Sequence, residues 1–142
     1  MQVLIDTGII LALLSRGERE LPELAGMFSL AERGRIQLFA SALSYARISN
    51  ALSHQKNHTE AKSILRRLQL IVKILDLDKK IINLYLSDDL FEDFDEGMNY
   101  YTALENEVEV IVTFGAGGYR RSGFPVMTPG QLLGLVREYD AF

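Results

Sequence analysis

The sequence predicts an α/β domain built on a mostly parallel sheet covered by helices. Two observations carry that expectation. Short apolar runs recur at residues 3–5, 36–40, 71–75, 108–112 and 126–127, and helix-like segments separate them. The first run, Val3-Leu4-Ile5, is apolar throughout and β-branched at both ends, as a strand covered on both faces reads. Strands alternating with helices point to parallel pairing through crossover connections.

Taken in order, the first strand ends at Asp6-Thr7-Gly8, and residues 9–14 make a short helix. Residues 21–33 make the next, with Leu24, Met27, Phe28, Leu30 and Ala31 on one stripe and Gly34 as its stop. After the second strand, Ser41 N-caps a helix running to about Gln55. Asn57 and Glu60 have capping-box spacing and open a helix over 59–70. Beyond the third strand, Asp78 caps a helix to Leu86, and residues 93–106 form another before the fourth strand. Gly115-Ala116-Gly117-Gly118 reads as a flexible turn. It lacks the Lys-Ser/Thr of a phosphate loop and the glycine spacing of a dinucleotide site. After the last short strand, Thr128-Pro129 supplies a cap and a first-turn proline for a helix to Tyr139.

A chain of 142 residues suits one domain, spanning 1–142. Its net charge of −4 argues against a surface made for nucleic acid, so RNA contact would need a local basic patch and no DNA partner is expected. The absence of cysteine excludes disulfides and thiolate metal sites. The start lacks the basic and long apolar stretches of a secretion signal, and residues 9–14 are too short to cross a membrane. The expectation is a soluble cytoplasmic protein with no membrane partner.

Sites in open α/β sheets form beyond the carboxyl ends of strands. Asp6, the 41–47 segment and the 113–118 segment occupy such positions, and the acidic run 92–96 is a further candidate. Simpler roles compete. Asp6 serves equally as a helix cap, and Glu92, Asp93 and Asp95 suit a helix start, where acids meet the positive end of the dipole. His54 and His58 have metal-pair spacing but straddle a helix end and lack a third ligand. Arg66-Arg67, Lys79-Lys80 and Arg120-Arg121 read as solvated surface, the last pair being nearest the candidate site.

The segments Val3-Leu4-Ile5-Asp6-Thr7-Gly8, Ser41-Ala42-Leu43-Ser44 with Arg47-Ile48, Asp93-Phe94-Asp95-Glu96-Gly97-Met98-Asn99-Tyr100, Val110-Ile111-Val112-Thr113 and Phe124-Pro125-Val126-Met127-Thr128-Pro129 together resemble PIN domains. The resemblance is greatest to the small VapC-type toxins of toxin–antitoxin pairs. It covers nearly the whole chain in family order. It implies a central parallel sheet of four to five strands with helices on both faces. It also implies a ribonuclease ancestry in which converging carboxylates hold Mg²⁺ or Mn²⁺, hard cations that need oxygen ligands.

Compared with the family pattern, the acidic set is depleted. Asp6 is kept. Gly8 replaces a usual Asn. The second acid is Arg47, the third is lengthened to Glu96, and the stretch after Thr113 has no carboxylate, with Gly115 and Gly118 where further acids are usual. The expected pocket is therefore Asp6, Arg47, Glu96, Thr113, Gly115 and Gly118. Asp6, Glu96 and Arg47 would sum to about −1, too little to strip water from Mg²⁺. Arg47 is expected to point inward and pair with Asp6, Glu96 or both.

The sequence thus favours a PIN-like protein, catalytically impaired or inactive, with no cofactor, acting as a homodimer or on an antitoxin. The motive for the dimer is the apolar content of the early helices at Leu11, Leu13, Leu14, Leu24 and Met27. The alternatives are a weak Mg²⁺- or Mn²⁺-dependent endoribonuclease using Asp6 and Glu96, with Asp93 as a further candidate, and a module that binds RNA without cutting it.

Overall fold

A computed structural model describes the backbone of residues 1–140 and the side chains of 1–15 and 21–138. The expected five strands are present: β1 (Gln2–Ile5), β2 (Gln37–Ser41), β3 (Val72–Leu75), β4 (Val110–Val112) and β5 (Val126–Met127). They form one sheet in the order β3-β2-β1-β4-β5, and every pairing is parallel. All the carboxyl ends therefore lie along one edge. The order reverses about β1, so Asp6 sits at the switch point where β2 and β4 diverge to either side.

Both faces of the sheet are covered, which explains the apolar runs. Val3 and Ile5 of β1, Leu38 and Ala40 of β2, and Val110 and Val112 of β4 face one way. They pack with residues of α1 (Thr7–Glu20), α2 (Pro22–Glu32), α3 (Ala42–Ser53), α4 (His58–Gln69) and α7 (Pro129–Asp140). Leu4 and Ile111 face the other way, against Phe91, Ala103 and Tyr119. That side is built by α6 (Phe94–Glu105), with α5 (Lys79–Leu86) packed on it. The helices on both faces and the central parallel sheet agree with the sequence expectation.

Side-chain caps fix where helices begin. Ser41, Asn57, Asp78 and Asp93 each accept the backbone N–H three residues on, at 2.8–3.1 Å. Thr128 and Gln131 close a reciprocal box at 3.2 and 2.9 Å. The Asn57–Glu60 pair departs from the usual box, because the Asn57 side-chain amide, not its backbone, donates to Glu60 at 3.1 Å. Tyr45, buried on α3, donates its hydroxyl to the Val72 carbonyl at 2.5 Å and so ties α3 to the edge strand.

Two expectations change. The helix after β1 runs from Thr7 to Glu20 rather than over 9–14. Its second half is polar, carries Gly17 and gives no apolar period, yet the helix continues to the Leu21-Pro22 junction, where Pro22 starts α2. The run 115–118 is not a free turn. It leads into a 3-10 segment, Ala116–Ser122, which ends at Gly123 with φ of 70°. Tyr119 anchors that segment by burying its ring edge-on to Phe91, centroids 5.8 Å apart.

Candidate functional site

The site grows from the switch point. Asp6 follows β1, and its Oδ1 accepts the Ile9 N–H at 3.0 Å, capping α1. Its Oδ2 accepts the Thr113 hydroxyl, which follows β4. The Thr113 Oγ1 in turn accepts the Gly115 N–H at 3.1 Å and shapes the start of the next loop. Asp6 is thus both a helix cap and a site residue.

From the second strand comes a row of hydroxyls rather than an acid. Thr7 Oγ1 donates to Ser44 Oγ at 2.9 Å, and Ser41 Oγ lies 3.3 Å from Ser44 Oγ. These bonds tie the start of α1 to the start of α3.

Glu96 comes from the first turn of α6, which Asp93 caps. Its carboxyl is raised above the ordinary range by burial first, then by repulsion from Asp93 and Asp6. The Asp6 carboxyl is raised too. Burial dominates there, and the bonds from Thr113 and the Ile9 and Gly8 amides only partly offset it. Asp6 thus lies near enough to Glu96 for its charge to act on it.

Arg47 pairs elsewhere. Its Nε donates to Asp95 Oδ2 at 3.2 Å and its Nη2 to Asp95 Oδ1 at 3.0 Å. Both side chains are substantially exposed, at 53% and 40%. The expected pairing of Arg47 with Asp6 or Glu96 is corrected: the guanidinium bridges α3 to the outer side of α6. The reason is the setting of α6. Gly97, Met98 and Asn99 are buried and fix its rotation. The consecutive acids Asp95 and Glu96 then diverge by about 100° around the helix. Glu96 turns inward and Asp95 outward.

With Arg47 turned away, Asp6 and Glu96 carry about −2, not the −1 expected with Arg47 among them, and Asp93 adds its charge beside Glu96. Among the described residues no group of three or more Asp, Glu, His or Cys side chains converges as a metal-holding set. A divalent hard cation takes six or more oxygen ligands, so the residues present do not fit a protein-built Mg²⁺ or Mn²⁺ site. His54 ends α3 and His58 opens α4, both exposed, away from any such set.

Gly115 and Gly118 differ. A Cβ at Gly115 would meet nothing within 4 Å. One at Gly118 would overlap the Glu96 carboxylate.

Sequence reasoning missed Asn99 and Tyr119. Both are buried, and Asn99 Nδ2 donates to the Tyr119 hydroxyl oxygen at 3.3 Å. The Tyr119 hydroxyl is pushed well above its ordinary value by burial first, the bond from Asn99 opposes that, and Asp6, Glu96 and Asp93 add to it. The pair is a buried neutral polar contact within reach of the acids' charge. Asn99 stands three residues after Glu96, a same-face spacing on a helix, and that was the available signal.

An α/β domain with acids at the carboxyl edge of a five-stranded parallel sheet is a doubly wound fold with its candidate site at the switch point. The chain belongs to the PIN-domain family, whose profile matches residues 2–115. It is similar to VapBC2 from Rickettsia felis, solved bound to a DNA fragment from their promoter: 14% identity, TM-score 0.69, covering 89% of this chain and 97% of that one. It is similar also to VapBC-1 from nontypeable Haemophilus influenzae, at 16% identity and TM-score 0.68, covering 92% and 99%. A third is Mycobacterium tuberculosis VapC20, a sarcin-ricin loop cleaving toxin, at 16% identity and TM-score 0.63, covering 86% and 95%. No curated protein matches the sequence. At such identities the structural likeness concerns the fold.

Proposed function

We propose that this chain is a toxin–antitoxin-type PIN protein with impaired or lost catalysis, acting in the cytoplasm through self-association and a short antitoxin-like partner. One observation carries the catalytic half of the reading: among the described residues no three possible metal ligands converge, and both Asp6 oxygens are already engaged. Mg²⁺ sheds water reluctantly, and two acids so placed offer it little.

The partner half is supported by a groove of about 930 Å³ between α1, α3 and α4. Leu11, Leu14, Phe28, Leu52, Ile64 and Leu68 line it, with Lys56 and Arg67 among its polar residues. An apolar groove with basic residues suits an amphipathic segment carrying flanking acids. The family resemblance to toxin–antitoxin complexes supports the same choice.

A weak metal-dependent endoribonuclease is the second reading. The outward turn of Arg47 favours it, because its charge then goes to Asp95 rather than opposing a cation at Asp6 and Glu96. The test is incubation of the full chain with RNA in Mg²⁺, with and without EDTA. The proposal expects the same uncut RNA in both. Cleavage that EDTA abolishes replaces the proposal with the ribonuclease reading.

A further inference from the structure

Three glycines of the run after β4 have very different surroundings. A Cβ at Gly115 or Gly117 would stand in open space. A Cβ at Gly118 would overlap the Glu96 Cδ and both its carboxylate oxygens. Gly118 does not have the positive φ that favours glycine; in this region only Gly123 does. The backbone would therefore accept any L-residue at 118, and the requirement for glycine is the volume the Glu96 carboxylate fills.

We propose that Gly118 is a positioning residue for Glu96: the side chain absent at 118 is the space in which the longer acid lies, and that space holds it opposite Asp6. The two positions act as one unit. A long acid on α6 goes with no side chain on the 3-10 segment, and an acid at 118 requires a shorter side chain at 96. Asp at 96 would withdraw the carboxylate by about one C–C bond, ~1.5 Å, enough to relieve most of the overlap with a Cβ at 118. The inference builds on the pocket as described under the proposed function, but needs neither metal binding nor cleavage. It explains why one apparently conservative lengthening, at Glu96, and one apparently drastic loss, at Gly118, occur together.

The test is carboxyl-detected NMR titration of the full chain with Gly118→Ala, Glu96→Asp and both changes. In Gly118→Ala the Glu96 side chain should swing out and lose its burial, so that Glu96 titrates closer to its ordinary value. Adding Glu96→Asp should relieve the overlap at 118, so that the double variant melts above Gly118→Ala alone. Thermal unfolding supplies an independent cycle with Glu96→Ala. Removal of a glycine from a helical segment normally stabilises, so Gly118→Ala should raise Tm in the Glu96→Ala background. It should lower Tm, or prevent folding, when Glu96 is present, a coupling of about 3 °C or more. An unchanged Glu96 titration in a folded Gly118→Ala protein, or equal Tm shifts in both backgrounds, would overturn the proposal. RNA cleavage by the parent chain would remove the catalytic reading and leave these outcomes as they stand.

Discussion

Arg47 and Asp95 form a two-pronged ion pair across the gap between α3 and α6, with nitrogen–oxygen distances of 3.2 and 3.0 Å. The pair lies on the rim, and its charges are satisfied there rather than in the pocket. The guanidinium acts as a clip between two helices. An exposed pair of this kind loses most of its attraction to water and salt.

Arg47→Ala should therefore leave thermal stability nearly unchanged, with any small loss vanishing as salt is added. Melting curves at low and high ionic strength check this. A large, salt-independent drop would mean that Arg47 balances the buried acids after all.

Asp6 governs the pH response. Its carboxyl is raised by burial, so the folded protein keeps that proton at pH values where the unfolded chain has released it. Stability from this group is full below the ordinary value of 3.8 and is lost as pH rises through the raised value. Glu96 shifts in the same direction, from burial and from its acidic neighbours. Asp6→Asn keeps the cap on Ile9 and removes the charge. Its Tm should exceed that of the parent at about pH 7, with a shallower decline above about pH 4. A lower Tm at neutral pH would show that the ionised carboxylate, held by Thr113 and the α1 amides, stabilises the fold.

Restoring acids should not be symmetrical. Gly115→Asp enters open space and should fold as well as the parent. Gly118→Asp must displace Glu96 and should melt lower. Combined with Arg47→Glu, only the Gly115 change should build measurable Mn²⁺ affinity. Equal melting temperatures and equal Mn²⁺ heats for the two aspartates would contradict the packing at 118.

Self-association needs a narrower motive than the early helices as a whole. Leu24 and Met27 are buried in the core and cannot contribute. Leu11, Leu13 and Leu14 remain, half-buried along the groove. A symmetric pair is the usual oligomer. Light scattering at micromolar concentration should return twice 16.0 kDa. A monomer mass would remove self-association from the proposed function.

Much of this architecture was legible because each level of the sequence agreed with the next. Val3-Leu4-Ile5 reads as a doubly covered strand because Leu4 faces one layer and its neighbours the other. The caps at Ser41, Asn57 and Asp78 were visible because a short polar side chain there has one strong local use. Asp6 was visible from its position at a strand end. The partner of Arg47 was not legible. Asp95 and Glu96 are adjacent in sequence, and which one meets α3 depends on the rotation of α6, set by the burial of Gly97, Met98 and Asn99. The order in the 115–118 run was hidden for a similar reason: it is imposed by Tyr119, whose ring packs on distant Phe91.

The central claim is that Asp6 and Glu96 by themselves do not make a divalent-metal site. Calorimetric titration of the full chain with Mn²⁺ near neutral pH tests it most directly, with Asp6→Asn as the control. The account predicts no saturable heat up to millimolar Mn²⁺, and the same trace for both proteins. A single saturable site with micromolar affinity in the parent, lost in Asp6→Asn, would contradict it.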